Sequence, residues 1–233
     1  MQCVILAAGR GTRMMELTSS VPKPMLDVAG KPLLEYKLAA LPEEIDEVVI
    51  VVGYLKDVVQ KHFGATRAGK RITYVEQKNL DGTAGALWSA QTVLKDRFIV
   101  MMGDDIYAKE DIARCIAPYS GWRLLVQEIT EMHRSGSVEV GEDGLISRIV
   151  EGDRSKDKGI ASTNLYTLDM RLFTAPLIPK QEGSLEYGLP QTVVAASKTL
   201  GIPFEPVFTD KWVQVTSPKD LVHAAEMLKR MKF

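Results

Sequence analysis

Only two cysteines occur in the 233 residues, Cys3 and Cys115. Two cannot build a disulfide framework, and Cys3 sits inside an apolar run, so the expectation is a reduced, cytoplasmic protein. Histidine is scarce as well. His62, His133 and His223 are isolated from one another, at no metal-ligand spacing, and are read as surface or packing residues. Long apolar runs are missing: stretches such as residues 48–52 fall far below the ~20 residues that span a bilayer. No basic segment precedes the apolar residues 2–8, which therefore read as a first strand rather than a signal peptide. An excess of one charge is also absent. Lys and Arg number 29 against 30 Asp and Glu, a net charge of −1. Such a chain has no global field to hold a polyanion, which excludes a dedicated nucleic-acid binder but not a small anion held by a few local cations. No linker, internal repeat or low-complexity stretch divides the sequence.

What is present is an ordinary soluble composition, 45% hydrophobic and 25% charged, enough to fold throughout. Short β-branched runs alternate with helical patterns. Residues 3–8, 47–53, 71–76 and 98–102 read as strands, and residues 33–41, 54–63 and 83–94 as helices between them. The run EVVIVVG at 47–53 is apolar throughout, as in a parallel strand buried on both faces. This βαβαβαβ order predicts an α/β fold with a Rossmann-like, doubly wound sheet, mostly parallel in the N-terminal half. Beyond it, strands at 122–128, 137–140, 145–150 and 161–168 add antiparallel elements. An Asp143-Gly144 turn signals a hairpin. Helices are expected at 185–198 and 218–231, the latter with Ser217 as cap and Pro218 at the first helical position. The whole, 1–233, reads as one domain in two halves, 1–105 and 106–233.

The most informative segment leaves the first strand: Leu6-Ala7-Ala8-Gly9-Arg10-Gly11-Thr12-Arg13-Met14, then Pro22-Lys23-Pro24. Loops at the carboxyl ends of parallel strands are where such sheets bind ligands. Small residues let the backbone approach a ligand, and their N–H groups can cradle phosphate oxygens. Arg13 adds a fork-shaped cation, and two prolines stiffen the backbone at Lys23. A P-loop is excluded because no G-x-x-x-x-G-K-[ST] occurs. The dinucleotide fingerprint fails because Met14 stands where its third glycine would be.

LAAGRGTRM followed by KPMLDVAGKPLLEY resembles the signature of the sugar-nucleotide pyrophosphorylases, the nucleoside triphosphate:sugar-1-phosphate nucleotidyltransferases. The likeness continues in family order through Gln77, the DGTAGAL segment at 81–87, Gly103-Asp104, Val150-Glu151, Glu186 and Trp212, nearly the whole chain. It implies attack of a sugar 1-phosphate on the α-phosphate of a nucleoside triphosphate, with Mg²⁺ required and pyrophosphate leaving. It implies that Leu6, Ala7, Ala8, Gly9, Gly11, Thr12 and Arg13 line the triphosphate, Arg13 holding the β- and γ-phosphates. Lys23 would sit at the α-phosphate, and Asp104 would hold Mg²⁺. Gln77, Gly82 and Thr83 would meet the base, a pairing that points to uracil or thymine. Gly136, Glu151, Ser162, Asn164 and Glu186 would meet the sugar.

Three departures stand out. Gln214 occupies the position of the family's second Mg²⁺ carboxylate, and Asp210 has the wrong spacing to replace it. Gly152 stands where a lysine usually follows the glutamate, with Arg154 as a candidate substitute. Asn164 replaces a glycine, and asparagine tolerates left-handed backbone angles. Asp105 is expected to support the site rather than ligate. Two rivals follow: a cytidylyltransferase acting on a choline- or polyol-phosphate, and a nucleotide-sugar-binding subunit without catalysis. Retention of Arg13, Lys23 and Asp104 together argues against the second. No hexapeptide repeat follows the last helix, so the expectation includes no β-helix tail and no trimer built by one. A homo-oligomer formed by the domain itself stays open.

Overall fold

The computed structural model describes residues 1–130, 136–151 and 158–231. Its elements in chain order are β1 (Gln2–Leu6), β2 (Asp27–Val28), β3 (Lys31–Pro32), α1 (Leu33–Ala40), β4 (Glu47–Val52), α2 (Lys56–Phe63), β5 (Thr66–Arg67), β6 (Lys70–Glu76), α3 (Gly82–Ser89) and β7 (Arg97–Met102). Then come α4 (Lys109–Ile116), β8 (Trp122–Ile129), β9 (Ser137–Val140), β10 (Ile146–Val150), β11 (Gly159–Asp169), α5 (Leu189–Leu200), β12 (Phe204–Thr209) and α6 (Pro218–Met231).

Ten strands form one sheet, with main order β10-β9-β11-β7-β1-β4-β6-β5, while β8 pairs with β11 and carries β12 at its outer side. Strands β7, β1, β4 and β6 are parallel neighbours. Strands β9, β10 and β11 add antiparallel pairs, as expected for the second half, and β8 runs antiparallel to β11. The chain winds outward from β1 to β4 and β6, then returns to place β7 on the other side of β1. The point of reversal therefore lies between the carboxyl ends of β1 and β7, where open α/β sheets leave a crevice for ligands.

Period-two alternation in β1 divides the core. Val4 and Leu6 point to one face, with Ala84 and Leu87 of α3 and Val193 of α5. Cys3 and Ile5 point to the other, with Leu34 and Leu38 of α1, Phe63 of α2 and Ile112 of α4. A third cluster joins Met14 to Leu33, Ile106, Val213, Val215 and Leu228 of α6. Met14, which breaks the dinucleotide fingerprint, is thus the buried anchor of the glycine loop. Both cysteines are free and buried, and burial raises both thiol pKa values, so neither is a ready nucleophile.

Several boundaries differ from the sequence reading. The helix expected at 83–94 ends at Ser89 and is followed by a separate 3₁₀ turn, Gln91–Val93. The helix expected from 185 starts at Leu189 with Pro190 in its first turn, because residues 184–188 are tied to other segments: Tyr187 N donates to Asp81 O (2.7 Å), and Ala84 N to Tyr187 O (3.1 Å). Helix α4 and strand β12 are not among the elements read from the sequence, although Ile112, Cys115 and Ile116 of α4 fall at i, i+3 and i+4 on one face. Pro218 does open α6. Asp220 Oδ2 accepts from Thr216 N (2.8 Å), Thr216 Oγ1 (2.9 Å) and Ser217 N (2.7 Å), reaching back over the helix start.

Candidate active site

The loop after β1 crosses the sheet's carboxyl edge and is held open by its backbone. Gly11 has φ +65°, and a Cβ there would lie 2.9 Å from Lys23 Cβ. Glycine is therefore needed both for the left-handed turn and for Lys23 to pass behind it. Thr18 Oγ1 donates to Gly11 O (3.1 Å), and Tyr54 Oη donates to Ser19 O (2.9 Å), tying the loop to the segment after β4. Leu6, Ala7 and Ala8 are buried, while Gly9, Thr12 and Arg13 are exposed. Arg13 is free to meet an anion arriving from solvent.

Lys23, in a 3₁₀ turn between its prolines, is buried along its stem and turns its ammonium onto the Asp104 carboxylate. Asp104 follows Gly103, whose N–H donates to Leu6 O (2.9 Å); a Cβ at Gly103 would lie 2.9 Å from that same oxygen. The two strand ends flanking the reversal point thus touch, and two of the three sequence-predicted catalytic residues, Lys23 and Asp104, meet across them, while Arg13 stands apart on the exposed loop.

Asp105, the next residue, is buried and turned inward. Its carboxyl faces the Tyr107 hydroxyl (3.5 Å). The Trp212 indole N–H is close enough to favour its charged form, though in no strict hydrogen bond. Burial raises the pKa of Asp105, and the neighbouring charge of Asp104 raises it further. Ile106 forms a two-way backbone bridge with Val213, Ile106 N to Val213 O at 2.9 Å and Val213 N to Ile106 O at 3.1 Å. The bridge brings Gln214, the residue after Val213, alongside the Asp104–Asp105 turn. Asp210 lies elsewhere, in a shallow hollow with Arg114, Glu128, Phe208 and Thr209.

Beyond β4 and β6 lies the expected base-binding group. Gln77 N donates to Val52 O (2.9 Å), fixing Gln77 at the sheet edge. Its side-chain Nε2 donates to Asp81 Oδ1 (2.9 Å) and Gly82 O (3.1 Å). The amide nitrogen is therefore used within the loop, while no hydrogen bond among the described residues engages Oε1. Thr83 Oγ1 accepts from Leu189 N (3.0 Å), which makes it a link between α3 and α5.

The expected sugar residues form a third group. Ser162 N donates to Gly136 O (2.8 Å). A Cβ at Gly136 would lie 3.7 Å from Ser162 Cβ and 3.8 Å from Glu151 Cγ, so these three are neighbours. Asn164 has φ +57° at a break in the β11–β8 register, with its Oδ1 accepting from Tyr166 Oη (3.1 Å). The left-handed backbone anticipated for it is present. Gln191, which sequence reading passed over, joins Glu151 to the 178–188 segment. Its Nε2 donates to Glu151 Oε2 (3.1 Å) and Lys180 O (3.3 Å), and Lys180 pairs with Glu186 at 3.6 Å. Gly152, Arg154 and His133 lie outside the described residues. His62 makes a surface contact with Glu35 (3.0 Å), and His223 is exposed on α6.

Lys37 was also passed over. It is 1% exposed, and its ammonium donates to the Asp105 carbonyl. A signal existed: Leu34, Lys37, Leu38 and Leu41 fall at i, i+3, i+4 and i+7, so a lysine sits in the core-facing stripe of α1.

Among the described residues no three His, Cys, Asp or Glu side chains come together as a metal cage. Asp104 with a neighbouring amide suits Mg²⁺, which takes one or two carboxylates and fills its octahedron with substrate phosphates and water. No helix among the described residues is long and apolar enough to cross a membrane.

A family model described as nucleotidyl transferase matches residues 2–230. The chain is 28% identical over 235 residues to the UTP–glucose-1-phosphate uridylyltransferase AglF of Haloferax volcanii, covering 98% of this chain and 96% of that one. It is 30% identical over 190 residues to the bifunctional protein GlmU of Methanococcus maripaludis, covering 80% of this chain and 45% of that protein. The chain thus spans about half the length of the bifunctional relatives it matches. Among solved structures, a glucose-1-phosphate thymidylyltransferase described as putative, from Bacillus anthracis, superposes with TM-score 0.84 at 24% identity, over 100% of this chain and 97% of that one. It has the same fold.

Proposed function

The chain belongs to the nucleotidyl transferase family, and from that premise we propose that it joins a nucleoside triphosphate, UTP or dTTP, to a sugar 1-phosphate. An oxygen of the sugar phosphate attacks the α-phosphorus, the bond from that phosphorus to the bridging β-oxygen breaks, and pyrophosphate leaves. The observation that carries this reading is the meeting of Lys23 and Asp104 at the sheet's reversal point, beneath a glycine loop whose only exposed cations are Arg10 and Arg13.

Phosphoryl chemistry of this kind asks the protein for positioning and charge neutralisation more than for covalent work. The N–H groups from Ala8 to Thr12 and the Arg13 guanidinium hold the β- and γ-phosphates, the Ala7 N–H being already donated to Val51 O (2.9 Å). Lys23 offers its ammonium to charge developing at the α-phosphate. Asp104 and Gln214 are the residues that would hold Mg²⁺, which when bound neutralises charge on the triphosphate. Gln77 Oε1 accepts from the imide N–H of uracil or thymine. Gly136, Glu151, Ser162, Asn164 and Glu186 face the sugar. Gly152, in place of a cation beside Glu151, favours one alternative, CTP with a phosphorylated alcohol as acceptor.

A panel of the four ribonucleoside triphosphates and dTTP against sugar 1-phosphates and polyol phosphates, read by pyrophosphate release, tests both. UTP or dTTP with a sugar 1-phosphate should give the largest kcat/KM, and Gln77→Ala should erode that preference. CTP with a polyol phosphate leading the panel would establish the alternative. Nucleotide binding with no turnover anywhere would establish a non-catalytic subunit.

A further inference from the structure

The buried ammonium of Lys37 has no part in the scheme above. A lysine taken out of water is strongly destabilising unless its charge is compensated and its protons are accepted. Leucines occupy the neighbouring positions of the same stripe, and an apolar residue would fill this one without that cost. Burial lowers the Lys37 pKa, and the charges of Asp105 and then Asp104 oppose this.

Its acceptor is informative. The Asp105 carbonyl and the Ile106 N–H belong to one peptide unit. Lys37 holds the carbonyl end and Val213 O accepts from the N–H end (2.9 Å). That plane is therefore clamped from opposite sides, by α1 and by the segment leading to Gln214. Upstream, Gly103 N is held by Leu6 O (2.9 Å). Between these fixed points stands Asp104, whose carboxylate meets Lys23. Without Lys37 the carbonyl end of the clamp is lost, and the 105–106 peptide can rotate away from its present plane.

We propose that Lys37 is a positioning residue, which fixes the 105–106 peptide from beneath the sheet edge and so sets both the direction of Asp104 and its distance from the Gln214 segment. The proposal rests on the reading of Asp104 and Lys23 as reaction-site residues.

The test is Lys37→Met, which keeps most of the stem's volume and removes the donor. Displacing a positioned group by about 1 Å costs on the order of 10²-fold, so kcat should fall ten- to a hundredfold. KM for the nucleoside triphosphate should stay within twofold, because Arg13, Gln77 and the glycine loop are not attached to Lys37. Tm should stay within about 4 °C of wild type, the shift of a minor loss of stability in a chain this long. Independently of turnover, Mn²⁺ titrated with UTP present and followed by its electron paramagnetic resonance should bind several-fold more weakly to the variant. A kcat within twofold of wild type, or a loss no larger than the loss of folded protein, overturns the proposal. Should Lys37→Met not fold, Lys37→Gln is read against the same criteria. Absence of turnover by the wild type across the whole panel instead overturns the reading on which the proposal rests.

Discussion

The ammonium of Lys23 rests on the carboxylate of Asp104 although 81 residues separate them in the chain. Lys23 arrives on the loop from β1 and Asp104 on the turn from β7, and the pair closes the gap at which the sheet reverses its order. The contact holds a cation and an anion at the place where a triphosphate and a divalent metal would enter, each neutralising the other until then.

Lys23→Ala removes the charge that the proposed reaction offers to the α-phosphate. Losing one such contact costs on the order of 10²-fold in kcat, with a smaller effect on the KM for nucleotide. Steady-state kinetics with the preferred triphosphate measure it. An unchanged kcat in the folded variant removes Lys23 from the reaction.

Gly11→Ala and Gly9→Ala separate fold from ligand. At Gly11 the left-handed backbone and the 2.9 Å approach to Lys23 Cβ both oppose a side chain. That substitution should cost ~1–2 kcal/mol and displace Lys23, lowering Tm and kcat together. At Gly9 nothing lies within 4 Å of an added Cβ. Gly9→Ala should leave Tm unchanged and raise the nucleotide KM, because the added methyl meets only the bound phosphates. Thermal unfolding and kinetics on the two variants check the contrast.

Gln214→Asp should lower the Mg²⁺ concentration needed for half-maximal rate, since a carboxylate holds the cation more strongly than an amide oxygen. Asp104→Asn should abolish turnover while the protein stays folded. A Mg²⁺ titration at saturating nucleotide reads both. No change in Gln214→Asp would place residue 214 outside the metal's ligands, and near-normal activity of Asp104→Asn would move the metal elsewhere.

Asp220 gives a stability that depends on pH. Partial burial disfavours its charge, but hydrogen bonds from Thr216 and Ser217 outweigh this and hold its pKa below the ordinary 3.8. The folded form therefore binds its proton less readily than the unfolded one. The stabilisation is complete above that ordinary value and is lost as pH falls through the lower, folded value. Asp220→Ala should lower Tm by about 2–4 °C at pH 7, the effect of losing ~1 kcal/mol of capping in a chain of this size. The gap between variant and wild type should close as the pH is taken below 3.8. A gap that persists undiminished there would mean that Asp220 acts through packing.

Local chemistry made much of this protein readable in advance. The apolar run of β4 could only be a strand buried on both faces, and its alternation with helical segments required a largely parallel sheet. Because such a sheet binds ligands at its carboxyl edge, the loop carrying Gly9, Gly11, Arg13 and Lys23 pointed to a candidate site, and Gly103-Asp104 after another apolar strand pointed to a counterpart, which the structure brings against Lys23. Asn164 is legible for a similar reason: an asparagine accepts a left-handed backbone at little cost, and it adopts one. The remaining features depend on segments that meet only when the chain is folded. Leu189 is where α5 begins because residues 184–188 pair with the start of α3, more than a hundred residues earlier. Gln191 looks like any polar residue in a first helical turn until Glu151 and Lys180 are brought to it. Met14 stands in a glycine-rich loop, and only tertiary packing with Leu33, Ile106, Val213 and Leu228 makes it core. Lys37 breaks an apolar stripe, which the sequence displays. Its acceptor, the Asp105 carbonyl 68 residues away, is supplied by tertiary structure alone, because a buried ammonium's partner is set by which backbone oxygen the packed helix can reach.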